Sequence, residues 1–406
     1  MNKNKIINDP VYGFISIKTS LIFDIIEHPY FQRLRYIKQL GMTHLVYPGA
    51  LHTRFHHALG AMHLMQLAIE HLQNKGHTIT LAETEAACIA ILLHDIGHGP
   101  FSHALEHTIV QGISHEQIGK LLMAKINEDL DGKLALAMQI FNNTYKKKFL
   151  YQLIAGQLDL DRLDYLNRDS FFSGVTEGMV SSDRIIKLLN IKNGNLVVEE
   201  KGIYSIEKFL IARRLMYWQV YLHKTVIAAE QMLVKILNRA RELANTGVEL
   251  FATPIFKHFL YNKISHTDFY QQQVHLNNFV QLDDSDVMAS IKVWCQHPDF
   301  ILSTLCTSLT QRQLYKVEIS NKQPDKHKIK ALTQHIVQKF NISEDDSSYF
   351  IFTDTINNIA YNTTVGNINI LMKNNDLQDI TLASDNSFLD ALAKSVTKNI
   401  LCYTKI

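Results

Sequence analysis

A chain of 406 residues with 46% apolar and 20% charged residues suits one large domain with an appendage, or two domains, and can bury a substantial core. A formal charge of +2 makes no general case for binding nucleic acid or membrane, and no apolar run approaches the roughly 18 residues of a transmembrane helix. The four cysteines are scattered without a CxxC pair and the N-terminus lacks a signal-peptide core, so a cytoplasmic, reducing location is expected.

The first 28 residues read as an extended lead-in, Lys5-Ile6-Ile7-Asn8-Asp9-Pro10 and then Gly13-Phe14-Ile15-Ser16-Ile17. From Pro29, the residues Phe31, Leu34, Ile37 and Leu40 recur at three-residue steps with Arg33, Arg35 and Lys38 between them, which predicts a helix ended by Gly41. After the loop Tyr47-Pro48-Gly49-Ala50, helices are predicted near 55–75, 82–95, 101–110, 115–130, 133–142, 145–156 and 160–170. Asn193-Gly194-Asn195 and the alternation around it suggest a small hairpin over 195–204, and a long helix is predicted from about Ser205 to Leu243. Beyond about residue 245, helical stretches (283–296, 325–340 and 387–400) are interleaved with strand-like runs at 314–319, 349–352 and 368–371. The expected architecture is mostly α: a helical catalytic domain over 1–245 and a smaller α+β appendage over 246–406.

Twelve of the twenty histidines lie between His44 and His115, too dense for scatter. At the centre is Leu93-His94-Asp95-Ile96-Gly97-His98-Gly99-Pro100-Phe101-Ser102-His103. Adjacent His94 and Asp95 offer one imidazole and one carboxylate, and Gly97 and Gly99 permit the sharp turn that would let one metal use both. A histidine upstream (His56 or His57, which point about 100° apart on a helix) and an aspartate downstream (Asp159, Asp161 or Asp164) would complete a mixed N/O set. Such a set suits Fe, Mn, Zn, Ni or, less well, Mg, and would activate water and polarise a phosphoryl oxygen. Asp161, Tyr165 and Asp169 fall at i, i+4 and i+8, one wall of a cleft. Arg54, Arg162, Arg213 and Lys224 are candidate phosphate clamps, although each read singly is a surface charge. His115-Glu116 could supply an acid or base with an orienting carboxylate.

These stretches, with Ile7-Asn8-Asp9-Pro10, Phe31 to Gly41, Arg54 to Gly60 and Tyr221-Leu222-His223-Lys224, resemble the HD-domain deoxynucleoside triphosphate triphosphohydrolases over roughly residues 5–235. The resemblance is closest to the branch of the human sterile-alpha-motif and HD-domain enzyme and its bacterial relatives, and the C-terminal part is similar in kind to their phosphohydrolase-associated region. It implies His57, His94, Asp95 and Asp161 as the metal set. It implies His98, His103 and His115 as substrate-phosphate and catalytic histidines, with Glu106 and Glu116 beside His115, Glu106 standing where the family has an Asp. Arg54, Arg162 and Arg213 fall on triphosphate positions, Arg162 in place of a Lys, and Lys224 follows Tyr221 in the matched motif. Tyr165, Asp169, Gln39 and Leu40 fall around the deoxyribose and base, and Tyr221 where a ring blocks a 2′-hydroxyl. Lys5, Glu27, Gln32 and Arg35 match an activating-nucleotide site between subunits, Glu27 replacing an Asp; on their own they read as packing for the N-terminal helix. No sterile-alpha-motif domain is expected ahead of the matched region.

The expected activity is cleavage of a dNTP, dGTP among them, to deoxynucleoside and triphosphate by a dimer or tetramer. One transition metal would serve the site, with Mg²⁺ as an optional partner of the substrate phosphates. Two rivals stand beside it. Another HD phosphohydrolase (a nucleotide phosphatase, a phosphodiesterase or a single-strand nuclease, so that nucleic acid stays open as a partner) would share the ligands. A nucleotide-binding regulator would bind without turnover, which the complete ligand set argues against.

Overall fold

The computed structural model describes residues 5–110, 112–362, 366–386, 389 and 392–405, without the side chains of His103 and His107. The lead-in is an antiparallel hairpin, β1 (Lys5–Asp9) and β2 (Gly13–Ile17). Asp9 shapes its turn by accepting from the Val11 and Tyr12 N–H groups at 2.9 and 3.0 Å. Two short helices follow, α1 (Ser20–Glu27) and α2 (Pro29–Gln32).

The helix predicted through Gly41 stops early. A 3-10 turn covers Arg33–Tyr36, and at Ile37 the chain extends so that Lys38 pairs with Thr53. Tertiary hydrogen bonds override the local pattern here. Arg33 turns inward to the carbonyls of Ile96 and His98, both at 2.9 Å, and the Lys38 N–H donates to Asp284 at 3.1 Å.

The core of the first half is α3 (Arg54–Asn74), buried along most of its length, packed on α4 (Leu81–Leu92). Around them stand α5 (His103–Thr108), α6 (His115–Asp129), α7 (Ala135–Phe141), α8 (Lys148–Gln152), α9 (Leu160–Ser173) and α10 (Ser182–Leu188). The predicted hairpin exists but sits earlier: β3 (Leu189–Lys192) and β4 (Asn195–Glu199) flank Asn193-Gly194, both at positive φ, because a two-residue turn centres on those residues. The predicted long helix is two helices, α11 (Ile203–Met216) and α12 (Lys224–Asn245), separated by a π-turn at Tyr217–Tyr221 that turns Tyr221 inward.

After α12 come α13 (Pro254–Tyr261), α14 (His266–Gln271), α15 (Gln273–Phe279), α16 (Asp284–Trp294), α17 (Phe300–Thr310), β5 (Lys316–Ser320), α18 (Lys326–Phe340), β6 (Ile351–Asn358), β7 (Asn369–Leu371), β8 (Leu377–Asp379), a last turn α19 (Ile380–Ala383), and β9 (Val396–Tyr403). The helix predicted for 387–400 is overturned over 396–400. That run belongs to the central strand of a three-stranded sheet, β5-β9-β6, which is buried from Ile400 onward; residues 387, 388, 390 and 391 lie outside the described residues. A four-stranded sheet, β3-β4-β7-β8, joins the two halves through the parallel β4–β7 pair. The fold is mostly α, as expected, and no described helix is long and apolar enough to cross a membrane.

Glu83 ties the start of α4 to the loop before α8. It accepts from the Tyr145 hydroxyl at 2.6 Å, Lys147 Nζ at 2.7 Å and the Thr80 N–H at 2.8 Å. Burial alone would raise its carboxyl, but Lys147 and Tyr145 hold it down at about 2. A carboxyl lowered by folding stabilises above its ordinary pKa, and this is lost as pH falls toward the folded value. Glu83→Gln should therefore lower the thermal midpoint at pH 7, and the gap to the parent should narrow steadily between pH 4.5 and the acid limit of folding. A gap independent of pH would sink this account.

Candidate active site

Three helices deliver the cluster. His57 lies one turn into α3, His94 and Asp95 just past the end of α4, and Asp161 in the first turn of α9. His57 Nε2 lies 3.2 Å from His94 Nε2 and 3.1 Å from Asp161 Oδ1, and His94 Nε2 lies 3.5 Å from the same oxygen. Among the described residues, these three form the group whose donor atoms converge as a metal would require. Asp95 borders it, 3.4 Å from His94 Nε2 and 3.8 Å from His57 Nε2. His56 points away, closing a capping box with Thr53. Asp159 caps α9, and Asp164 stands behind His57.

The other ring nitrogens are occupied. His57 Nδ1 meets Asp164 at 2.7 Å, and His94 Nδ1 meets the Ile91 carbonyl at 2.6 Å. With Nδ1–H donated to those acceptors, both Nε2 atoms present lone pairs to each other and to a carboxylate, a donor set that fits a divalent cation. The electrostatics agree. Burial would push His57 down, yet hydrogen bonds to Asp161 and Asp164 lift it to about 10. Burial would raise Asp161, yet the two imidazoles hold it low. Positive charge is strongly favoured where these groups meet.

A buried chain backs this point. Asp164 is bound at both oxygens by Arg168, at 2.9 and 3.0 Å, and Arg168 grips Asp9 of the N-terminal turn at 2.7 and 3.3 Å. Gly60 explains itself here: a Cβ on it would lie 2.0 Å from Asp164 Oδ1 and 2.1 Å from Arg168 Nη2. Gly97 and Gly99 act otherwise than expected. The left-handed backbone falls on Phe101 (φ 49°) and Ser102 (φ 34°), while Gly97 lets α6 approach, since a Cβ there would meet the His115 carbonyl at 2.0 Å.

Arg54 binds Asp95 at 2.5 Å and the Ser102 hydroxyl at 2.8 Å, with its Nε buried and without a partner. His98 stacks on His115 with ring centroids 3.9 Å apart, and its Nε2 lies 3.4 Å from Asp95. Burial and the Arg54 charge push the His98 imidazole down to about 3. Glu106 holds His115, accepting from its N–H at 3.1 Å and lying 3.3 Å from Nδ1. The sequence-adjacent Glu116 is exposed instead, because on α6 it points away from its neighbour. The His103 side chain lies outside the described residues.

Arg162 is held by a short ion pair to Asp159 and by the Gly156 carbonyl. Arg213 is buried with Nε and Nη1 unpartnered, close enough to Tyr165 to act on its phenol. Asp169 is bound by His52 and the Tyr221 hydroxyl, both at 2.7 Å, and Tyr165 meets Tyr221 edge to face at 6.2 Å. Gln39, Leu40 and Tyr221 line a cavity of about 450 Å³ that reaches Arg54, whereas Lys224 is exposed outside it. Among the activator-site candidates, Lys5 covers the Phe23 ring, Gln32 bonds the Ile26 carbonyl and Arg35 at 2.7 Å each, Arg35 stacks on Phe55, and Glu27 is exposed.

Sequence reasoning missed Arg33, Asp164 and Arg168 as supports, and missed that the C-terminal half reaches the site. Phe279 lines the small pocket shared by His98, Glu106 and His115, and Asp284 accepts from the Phe101 N–H at 3.3 Å. Asp9, Arg33 and Arg168 left a trace as members of motif stretches, and Asp164 as a rival to Asp161 for the metal.

A helical scaffold that gathers two imidazoles and a carboxylate from three helices, with a His-Asp pair at its centre, defines a metal-site phosphohydrolase of the HD class. Residues 54–169 match the HD domain family, and residues 180–253 match the HD associated region. A phosphohydrolase from Bacteroides thetaiotaomicron VPI-5482 superposes with a TM-score of 0.96 at 53% identity, covering 99% of this chain and 100% of that one. The uncharacterized protein YwfO of Bacillus subtilis is 32% identical over 89% of this chain and 82% of its own length. The deoxynucleoside triphosphate triphosphohydrolase SAMHD1 of Gallus gallus is 30% identical over 58% of this chain, which spans 45% of that protein. The chain belongs to the HD-domain phosphohydrolase family.

Asp164→Asn should lower divalent-metal affinity about 10–100-fold, read as metal retained after equilibrium dialysis, with the far-ultraviolet circular dichroism unchanged. Full metal retention would show that Asp164 only braces Arg168.

Proposed function

We propose that the protein hydrolyses dNTPs to deoxynucleoside and triphosphate. The observation that carries this is the pairing of the His57, His94 and Asp161 cluster with buried, unpartnered guanidinium N–H groups on Arg54 and Arg213. Buried N–H groups are normally satisfied, so two such cations suit a polyanionic ligand. The relationship to SAMHD1 proteins supports the same substrate class.

His57, His94 and Asp161, with Asp95 as a fourth ligand, would hold a divalent metal. When bound, that ion lowers the pKa of water and polarises a phosphoryl oxygen. The chain's own groups do the rest. Arg54 and Arg213, with Arg162 once it shifts from Asp159, hold the triphosphate, and His98 contributes a neutral hydrogen bond. His115, oriented by Glu106, protonates the leaving 5′-oxygen as water attacks the α-phosphorus, giving deoxynucleoside and triphosphate. Tyr221, fixed by Asp169, walls the sugar. Assembly as a dimer or tetramer, with an activating nucleotide at Lys5, Glu27, Gln32 and Arg35, belongs to the same proposal.

The test is a metal-supplemented assay against the four dNTPs, singly and mixed, with products identified by chromatography. Triphosphate release, lost in the His94→Ala/Asp95→Ala double variant, is the expected result, and turnover confined to mixtures would locate the activator requirement. Pyrophosphate or orthophosphate as the first product, or no turnover in any mixture, would refute it. Arg213→Ala should raise KM about tenfold or more with a smaller fall in kcat, as loss of a charge-assisted phosphate contact predicts.

A further inference from the structure

Three side chains outside the metal set form a relay beside α9. His52 Nε2 meets Asp169 Oδ1 at 2.7 Å, and the Tyr221 hydroxyl donates to Asp169 Oδ2 at the same distance. His52 and Asp169 are 2% and 1% exposed, so water does not compete for the bond between them. A carboxylate only accepts, which places the His52 proton on Nε2. Its Nδ1 is buried and has no partner among the described residues. The hydrogen bonding of this ring therefore goes to Asp169.

His52 is itself held. Its ring stacks on Phe172 with centroids 4.5 Å apart, and its carbonyl accepts from the Gln39 N–H at 3.0 Å. The loop before it packs hard on α9, since a Cβ on Gly49 would lie 2.5 Å from the Phe172 carbonyl. Tyr221 needs such an anchor. It ends the π-turn between α11 and α12, and its ring meets Tyr165 and Tyr217 edge to face, at 6.2 and 5.2 Å. Edge contacts let a ring swing; a hydroxyl fixed at its far end does not. Burial and the Asp169 charge hold the Tyr221 phenol well above its ordinary range, so the hydroxyl stays protonated and keeps donating.

The Tyr221 ring borders the cavity of about 450 Å³ that reaches Arg54. Asp161, Tyr165 and Asp169 share one face of α9, and four residues of helix advance about 6 Å. Tyr165, with the Tyr221 ring against it, thus stands one turn beyond Asp161. For a nucleotide whose α-phosphate lies at the metal cluster, the unit that falls there is the sugar.

We propose that His52 is a positioning residue that sets sugar specificity: through Asp169 it locks the Tyr221 ring against the sugar and leaves no room for a 2′-hydroxyl. The inference rests on the dNTP reading above. A steric wall rejects an added hydroxyl in proportion to its rigidity, and a ring that yields by about 1 Å admits the extra oxygen. Without the His52 donor, Asp169 keeps one partner of two, and a buried carboxylate so deprived shifts toward other donors. The Tyr221 anchor moves with it.

Two substitutions separate this role from packing. His52→Phe keeps an aromatic ring on Phe172 and removes the donor, whereas His52→Gln loses the ring and keeps an Nε2–H of similar reach. On the metal-loaded full-length protein, the ratio of kcat/KM for dATP over ATP should fall at least about tenfold in His52→Phe, through a rise in ATP turnover, and hold within about threefold in His52→Gln. A ratio unchanged in His52→Phe, or lowered equally in both variants, overturns the inference. Fluorine NMR of fluorotyrosine-labelled protein, with the Tyr221 line assigned by Tyr221→Phe, reads the ring without turnover. That line should shift and broaden in His52→Phe and keep its place in His52→Gln; a line that stays put in His52→Phe also overturns it. Should His52→Phe not fold, nitrogen NMR of the histidines in the parent decides: His52, assigned with His52→Gln, is expected as the Nε2–H tautomer, and the Nδ1–H tautomer would sink the relay. No triphosphate from dATP in the parent would strike the hydrolase reading alone, because the fluorine spectrum still decides whether His52 holds Tyr221.

Discussion

The metal cluster depends on a buried ionic chain that runs from the N-terminal turn to the back of His57. Asp9, Arg168, Asp164 and His57 are connected by contacts of 2.7 to 3.3 Å, and all four are buried. Two carboxylates face one guanidinium, and the second negative charge is met by the His57 imidazole at Asp164. Breaking such a chain at one member would leave a buried charge unpaired, at a cost of about 3–5 kcal/mol. The hairpin at the N-terminus is therefore a structural part of the metal site, although it lies far from it in sequence. Asp9 serves both purposes: one oxygen shapes its own turn, and both hold Arg168.

Arg54 and Arg213 are buried cations that carry more N–H groups than the described chain satisfies. A buried donor left unmade costs stability, and an anionic ligand that reached these groups would relieve that cost.

The helical class and the His-Asp centre were legible because each rests on local spacing plus residue chemistry, whereas His57 and Asp161 were picked out from their neighbours by the family resemblance alone. His56 and His57 could not be separated by spacing alone; the structure separates them because His56 closes the N-cap of α3 while His57 finds Asp164. The break after Tyr36 was illegible for a related reason. The apolar period of Phe31, Leu34 and Ile37 is real and all three are buried, but Arg33 is drawn to carbonyls more than sixty residues away. The same holds for Glu106, which reaches His115 across a turn while the adjacent Glu116 does not. Local pattern records which residues are buried, not which distant partner captures them.

The C-terminal half shows the same limit most fully, since its contribution comes from two side chains without a motif. Phe279 packs against Arg33 at 5.1 Å and closes the pocket of His98 and His115. Asp284 accepts from the backbone of both Lys38 and Phe101, which ties the extended segment after Ile37 to the strained turn beside Ser102. A left-handed Phe and Ser persist only when their surroundings over-determine them. Arg54 on the Ser102 hydroxyl and Asp284 on the Phe101 N–H supply that constraint from opposite sides. The catalytic turn is thus assembled from both halves of the chain, and the region after Asn245 acts as its outer wall.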